Sequence, residues 1–330
     1  MALDFEYTVD LMRLSWGRSG RHCPYPNLGD ALSPFVVATI AQQGVAPAAF
    51  DSSEPRLAAV GTMAHQLRNG SVTLWGCGAN AAGWAGDPIQ TPFQIYPRTE
   101  YKIAAMRGPR SADAFRINGI NAPEVYGDPC CFLPKMIQAP VEKDCELGVI
   151  LHLTELDELT PFSGPKTELA RYRIPSEFST SVKTLNTLTH HHIDYIIDGV
   201  KDILRCKRIV STSFHGMVFA DVYNIPHIHL SSEAGDPVVA VDPNDREAPM
   251  DHRFRDYYLA QGRREVPVYR QPRERETDWE HLIKSIDANW SPTTGWSPRD
   301  LFEAFPGHKA VKFEDANWPI PKTKLEQISY

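Results

Sequence analysis

The sequence predicts an α/β protein in which short parallel strands alternate with helices in two halves of similar size. Short apolar runs recur between stretches of helical patterning, which is typical of βαβ units and parallel sheets. The chain of 330 residues exceeds the size of one average domain. The segment 134–144 holds two prolines and mixed charge near the middle of the chain, as is typical of a linker.

Five apolar runs are predicted to form strands. The second run closes on Gly76-Cys77-Gly78, and the fourth and fifth flank one predicted helix. Short apolar runs bounded by turn residues are typical of buried strands. The predicted strands are 57–60, 72–75, 147–153, 208–211 and 227–230.

Helical patterning occupies several of the intervals between these runs. The stretch 278–287 places Trp279, Leu282, Ile283 and Ile286 on one face, which indicates an amphipathic helix. The predicted helices are 31–40, 112–117, 215–222 and 278–287.

The linker divides the chain into two predicted Rossmann-like domains. The N-terminal domain comprises residues 1–138 and the C-terminal domain residues 139–330. The last part of the second domain is rich in Trp, Pro and Lys without a clear period, so it is predicted as an extension of the domain.

Composition excludes several classes of protein. The net charge of −7 and a pI near 5.9 argue against nucleic acid as the main partner, because phosphate backbones favour strongly basic faces. No apolar run approaches the ~20 residues that span a bilayer, and the acidic N-terminus does not have the pattern of a secretory signal. The six cysteines show no zinc spacing. We therefore expect a cytoplasmic protein with reduced thiols and no metal site.

The run Asn27-Leu28-Gly29-Asp30 precedes the first predicted helix. A glycine turn that opens a helix places backbone N–H groups and a carboxylate at the carboxyl edge of a sheet, where open α/β sheets bind ligands. Taken alone, the run is more typical of a helix cap provided by Asp30.

Two further motifs follow strands of the first half. The glycines of 75–80 permit close approach of another group to the backbone, but no GxGxxG pattern or P-loop lysine supports a nucleotide site there. The run from Met106 to Ser111 combines two arginines with a hydroxyl at a helix start, which suits capture of a carboxylate or phosphate. An isolated Arg-Gly pair is more often a solvated loop.

In the second half, the run 211–216 ends in Ser213-Phe214-His215-Gly216 between a strand and a helix. A histidine at such a turn is well placed for general acid or base catalysis, although a lone histidine is more often structural. The stretch 252–264 combines cations with aromatic residues and equally suits a binding site or a surface helix. The three histidines at 190–192 point in different directions on a helix start and predict no metal site.

Taken together and in this order, the motifs resemble the polysaccharide pyruvyl transferase family. The resemblance extends from about residue 27 to 264. The matching pieces are Asn27-Leu28-Gly29-Asp30, 75–80, Arg107-Gly108 with Ser111, Gly127-Asp128-Pro129, 211–216, Ile225-Pro226, and 254–258 with Gly262-Arg263.

The resemblance implies a GT-B-like fold, in which two Rossmann-like domains face a cleft. It implies phosphoenolpyruvate as donor substrate, a sugar diol of a surface polysaccharide or its precursor as acceptor, a pyruvate ketal as product, and no metal or redox cofactor. The catalytic residues would be His215 and Asp30. The residues that bind phosphoenolpyruvate would be Arg107, Ser111, Ser213 and Arg253, with Arg255 as substitute for Arg253. The acceptor would contact Asn27, Asn80 and Asp128. The resemblance implies that the N-terminal domain, with its Arg107-Gly108 motif, is the acceptor side and that the C-terminal domain, with Ser213-Phe214-His215-Gly216, is the donor side.

One departure from the family pattern concerns the donor. Many members carry an arginine where this chain has Ser213, so one anion contact is missing. Two alternatives stay open: a GT-B glycosyltransferase that uses a nucleotide sugar, and a non-catalytic carbohydrate-binding relative. A lipid-linked acceptor would hold the protein at the inner membrane surface through its substrate.

Overall fold

Two separate sheets, each built from one half of the sequence, organise the chain. The structure is a computed structural model that describes residues 11–80, 93–139, 142–245, 247–248 and 250–330. These sheets confirm the predicted α/β class and are consistent with two Rossmann-like domains. The exact domain boundary at residues 138 and 139 stays a prediction.

The first sheet has five strands, all parallel, in the order β2-β1-β3-β4-β5. Its strands are β1 (Met12–Ser15), β2 (Val45–Pro47), β3 (Arg56–Ala58), β4 (Gly70–Cys77) and β5 (Thr99–Met106). The runs predicted at 57–60 and 72–75 correspond to β3 and β4. Helices α1 (Leu28–Ala41) and α2 (Pro109–Arg116) belong to this half.

The second sheet has six strands in the order β10-β11-β9-β8-β6-β7. It is mixed because β10 pairs antiparallel with β11, whereas the sequence predicts parallel strands. Its strands are β6 (Leu147–Ile150), β7 (Val182–Leu185), β8 (Ile209–Ser211), β9 (His227–Ser231), β10 (Val238–Val241) and β11 (Val266–Arg270). Its helices are α3 (Ile193–Leu204), α4 (Phe214–Val222), α5 (His252–Ala260) and α6 (Trp279–Asn289).

Helix α1 is buried on every side except at Asp30. It packs against α3 and α4 of the second half, so the side of α1 that would otherwise face solvent is covered by these two helices. A helix that is apolar all round is expected in such a position. The start of α1 therefore lies between the two halves.

Each sheet has a point where the chain reverses its direction of winding. The chain leaves β1 for β2 on one side and reaches β3 on the other, and it leaves β6 for β7 on one side and reaches β8 on the other. In open α/β sheets, the crevice beyond the carboxyl ends of such strand pairs binds ligands.

The C-terminal segment returns to the first half of the chain. It contains α7 (Arg299–Glu303) and α8 (Lys322–Leu325). The indole N–H of Trp75 donates to the Leu301 carbonyl at 2.8 Å, and the Trp318 N–H donates to the Lys135 carbonyl at 2.7 Å. Among the described residues, no helix is long and apolar enough to cross a membrane.

Candidate active site

Asn27 caps helix α1 and leaves the carboxylate of Asp30 free of that task. The Gly29 N–H donates to Asn27 Oδ1 at 3.1 Å, so Asn27 is the cap of the helix. The run taken alone favours Asp30 as the cap, and the structure corrects that expectation. Asn27 Nδ2 also donates to Thr187 Oγ1 at 3.4 Å, and the Leu28 N–H donates to the Thr187 carbonyl at 2.7 Å. These bonds join the start of α1 to the second half of the chain.

The carboxyl group of Asp30 lies in the crevice beyond β1 and β3. Gly17 follows β1, and a Cβ atom on it would lie 2.7 Å from Asp30 Oδ2. Gly61 follows β3, and a Cβ atom on it would lie 3.1 Å from Asp30 Oδ1. Burial raises the pKa of Asp30 to about 7, the charge of Arg253 lowers it and the charge of Asp128 raises it further. The group is therefore able to give or take a proton near neutral pH.

The imidazole of His215, in the first turn of α4, rests on the backbone of Gly29. A Cβ atom on Gly29 would lie 1.9 Å from His215 Nδ1, so no side chain fits between the helix and the ring. Burial lowers the pKa of His215 to about 4. The charge of Asp128 raises this pKa, and the charges of Arg107 and Arg253 lower it. The ring is neutral at neutral pH and is suited to accept a proton.

Asp128 faces His215 across a short gap. Its Oδ2 atom lies 3.8 Å from His215 Nε2, and both atoms are buried without a hydrogen-bond partner among the described residues. Its Oδ1 atom accepts from the Cys130 N–H at 3.0 Å, which fixes the carboxylate. The family resemblance predicts acceptor binding for Asp128, and its position beside His215 suits that use or base catalysis.

The guanidinium of Arg107 is fully buried and lies against the same region. It stands 4.7 Å from the centroid of the Phe214 ring, and Nη1 donates to Thr62 Oγ1 at 2.5 Å. A Cβ atom on Gly78 would lie 2.3 Å from its central carbon, which explains the second glycine of the 75–80 turn. Atom Nη2 has no hydrogen-bond partner among the described residues, and Nε lies in an ion pair with Asp256.

Asp256 is a residue of the site that sequence reasoning missed. Its Oδ2 lies 3.3 Å from Arg107 Nε and accepts from the Ser111 hydroxyl at 2.5 Å. The Ser111 N–H donates to Oδ1 at 3.1 Å. Helix α5 of the second half thus anchors the Arg107 loop and the start of α2. An acid among the aromatic residues of 254–258 was the available signal.

The remaining predicted residues have mixed surroundings. The Ser111 hydroxyl also accepts from the Ala79 N–H at 2.8 Å, so its bonds are used within the protein. Ser213 is buried at the start of α4, and its side chain makes no cap bond. The Asn80 N–H donates to His65 Nδ1 at 3.2 Å.

The two arginines of α5 differ in their partners. Arg253 is partly exposed and its Nε lies 2.9 Å from Asp251 Oδ1. Arg255 is buried and donates to the Met250 carbonyl at 2.8 Å and to the Ala248 carbonyl at 2.5 Å. Arg253 is therefore paired with Asp251 and keeps an exposed part, whereas Arg255 supports the loop before the helix.

Asp128, Cys130 and His215 bring one potential metal ligand each to within 4.8 Å of one another. Oxygen, sulfur and nitrogen atoms of these types bind zinc in other proteins, and the spacing of the cysteines in the sequence does not predict this cluster. Burial, followed by the charge of Asp128, raises the pKa of Cys130 well above its usual range. Because a thiol binds metal as the thiolate, this environment weakens Cys130 as a ligand.

The clustering of unpartnered polar atoms distinguishes this region. Arg107, Asp128 and His215 each hold buried atoms without a partner among the described residues, and each such atom costs about 1–3 kcal/mol when nothing binds it. The guanidinium of Arg107, which is paired with Asp256, the carboxyls of Asp30 and Asp128, and a neutral imidazole can together hold an anion and move protons. Both halves of the chain contribute to the cluster.

Comparison with known proteins agrees with this chemistry. No curated protein and no solved structure matches the chain. Residues 74–233 match the family model described as polysaccharide pyruvyl transferase, and this range includes Arg107, Asp128 and His215.

Proposed function

We propose that the protein moves pyruvate from phosphoenolpyruvate to a sugar diol. Residues 74–233 match the polysaccharide pyruvyl transferase family, and membership in this family implies a transferase. The acceptor is a unit of a surface polysaccharide or of its precursor. The product is a cyclic ketal of pyruvate, and inorganic phosphate is released. The two sheets would then form the two domains of a GT-B-like fold around the cleft.

One observation carries the proposal. Arg107 of the first half and His215 of the second each hold a buried atom without a hydrogen-bond partner among the described residues, and the charge of Arg107 lowers the pKa of His215. Phosphoenolpyruvate carries a carboxylate and a phosphate, and a guanidinium fork matches either group. The halves of the chain thus offer a cation and an imidazole to one small anion.

The pKa values favour different roles for the two catalytic residues. Neutral His215 suits the base that takes a proton from a sugar hydroxyl. Asp30, with its pKa near 7, suits the acid that protonates the methylene carbon of the donor. Titratable groups whose environments separate their pKa values commonly divide acid and base work in this way. A bound anion would raise both pKa values and help Asp30 to keep its proton.

The proposed reaction balances without a redox step. The methylene carbon of phosphoenolpyruvate gains a proton, and C2 becomes an oxocarbenium-like centre. Two sugar oxygens form bonds to C2 and lose their protons, while the bond between C2 and the phosphate oxygen breaks. One hydroxyl proton replaces the proton given to the methyl group, and the other leaves with phosphate.

The test is a phosphate-release assay with phosphoenolpyruvate and a panel of glycosides of galactose, glucose, mannose, N-acetylmannosamine and Kdo. Mass spectrometry of the sugar product detects the added pyruvate. We expect phosphate release that depends on one of these sugars and a product that carries one pyruvate as a ketal. Sugar-dependent consumption of UDP- or GDP-hexose, without use of phosphoenolpyruvate, would refute the proposal.

A further inference from the structure

Two cysteines lie opposite each other where the second sheet begins. Cys145 precedes β6 and Cys206 precedes β8, and the two residues form an isolated parallel β-bridge. The Lys207 N–H donates to the Cys145 carbonyl at 2.8 Å, and the Asp144 N–H donates to the Arg205 carbonyl at 3.2 Å. Partners on neighbouring strands lie about 4.8 Å apart, which is within the range of Cα separations that a disulfide bridges.

The two thiols contact each other. The Cys206 thiol donates a hydrogen bond to the sulfur of Cys145. The Cys206 sulfur occupies room left by a glycine, because a Cβ atom on Gly148 would lie 2.7 Å from it. The backbone bridge and the contact between the sulfurs therefore place the pair close to the geometry of a disulfide without separation of the strands.

The surroundings favour the thiolate form at Cys145. The hydrogen bond from Cys206 lowers the pKa of Cys145, burial raises it, and the charge of Lys183 lowers it. The same hydrogen bond raises the pKa of Cys206. Burial raises the pKa of the other four cysteines, namely Cys23, Cys77, Cys130 and Cys131. Because the thiolate is the reactive form of cysteine, Cys145 is the nucleophile of the pair.

The pair is buried but lies just below the surface. Both cysteines are about 1% exposed, whereas their sequence neighbours Asp144, Arg205 and Lys207 are exposed. The ends of strands open locally more readily than their centres do. A reagent close to water in size, such as hydrogen peroxide, therefore has a short path to the sulfur of Cys145.

We propose that Cys145 and Cys206 form a peroxide-reactive thiol pair that closes to a disulfide between β6 and β8. The Cys145 thiolate attacks one oxygen of hydrogen peroxide, the O–O bond breaks, and hydroxide leaves a sulfenic acid on Cys145. The Cys206 sulfur then attacks the Cys145 sulfur, and the S–O bond breaks. The Cys206 proton and the released hydroxide form water, so two thiols are oxidised and one peroxide is reduced to two waters.

The disulfide would stabilise the second half of the chain. It closes a loop of about 60 residues that contains β7 and α3, which restricts the unfolded chain. The pair lies at the amino ends of β6 and β8, whereas His215 follows the carboxyl end of β8. The inference therefore does not depend on the proposed function.

The test is peptide mapping of the full chain after treatment with hydrogen peroxide. Remaining thiols are alkylated, the chain is digested without reductant, and mass spectrometry identifies the linked peptides. Cys206→Ser removes the second thiol, and dimedone then traps sulfenic acid on Cys145. Cys23→Ser is the matched control, because Cys23 is more exposed and lies outside the pair.

We expect a peptide that links Cys145 to Cys206, formed about tenfold or more faster than Cys23 is oxidised, and lost on reduction. The disulfide should raise Tm by about 5 °C. Cys23→Ser should form the same link, whereas Cys206→Ser should retain the sulfenic acid and show no rise in Tm.

Two results would overturn the inference. One is a wild-type chain in which both thiols remain free for alkylation while Cys23 is oxidised. The other is a link from Cys145 to a different cysteine, or a link to Cys206 that lowers Tm, because either would show that the folded chain does not accommodate this disulfide. The pairing is read from the wild-type chain, so this result does not depend on the folding of a variant.

Discussion

Substitution of Asp30 by asparagine should stabilise the protein at alkaline pH and reduce its activity. Burial raises the pKa of this carboxyl from 3.8 to about 7 in the folded chain. The unfolded chain therefore loses the proton at lower pH than the folded chain does. Stability from this group is complete below pH 3.8 and is lost as the pH rises to about 7. The asparagine side chain carries no charge at any of these pH values, so the variant avoids this loss.

The size of the effect follows from the shift. About three pH units at ~1.4 kcal/mol each give a ceiling of ~4 kcal/mol. Asp30 is partly exposed, and solvent screening reduces the figure to about 2 kcal/mol. For a chain of 330 residues, that corresponds to a rise in Tm of about 3 °C. At pH 5, the gain in stability should be about a third of this value. The reason is that pH 5 lies about a third of the way from the unfolded pKa of 3.8 to the folded pKa of about 7.

Differential scanning fluorimetry at pH 5 and pH 8 measures the change, with Asp157→Asn at an exposed carboxylate as the matched control. Phosphate release by Asp30→Asn should decrease, since the variant has no proton to give. A Tm at pH 8 equal to or below that of the wild type would contradict the reasoning about burial. A stabilised variant with full activity would remove Asp30 from the mechanism and leave the pKa argument intact.

Three further substitutions examine the same cluster. His215→Ala should lower kcat for phosphate release by about 10²-fold or more with an unchanged circular dichroism spectrum, and normal turnover by the folded variant would refute the role of the imidazole. Arg107→Ala should raise the KM for phosphoenolpyruvate by about tenfold or more, and an unchanged KM would place the donor elsewhere. Gly29→Ala should displace the imidazole, because the added Cβ would lie 1.9 Å from Nδ1, and it should reduce kcat while the chain stays folded. Gly199→Ala, whose Cβ would meet Leu28 at an ordinary 3.4 Å, should have full activity, and equal behaviour of the two glycine variants would contradict the contact.

Local patterning accounts for much of the fold. The runs at 57–60 and 72–75 correspond to β3 and β4, and 208–211 and 227–230 correspond to β8 and β9. These segments are apolar and end at turn residues, so their identity depends on neighbours in sequence. The antiparallel pairing of β10 with β11 gave no comparable signal, because pairing direction depends on contacts between distant strands.

The residues of the candidate site were likewise only partly predictable from the sequence. Motif order alone led to the family and singled out Arg107 and His215. It did not identify Asp256, which lies 145 residues from Ser111 in the chain and bonds to it. The run 27–30 taken alone favoured Asp30 as the cap of α1, whereas the structure uses Asn27 and leaves Asp30 for the crevice, where the resemblance predicts a catalytic role.

The sequence by itself determined several of the strand and helix segments, the residue types available for anion binding and proton transfer, and the resemblance to the family. Those properties are carried by short stretches, in which each residue's preference depends on its nearest neighbours. Only the tertiary structure decided that His215 rests on Gly29, that Asp256 anchors Arg107, and that the pKa values of Asp30 and His215 move in opposite directions. Burial and charge at these positions arise from contacts between the two halves, and no local pattern encodes how closely distant segments approach.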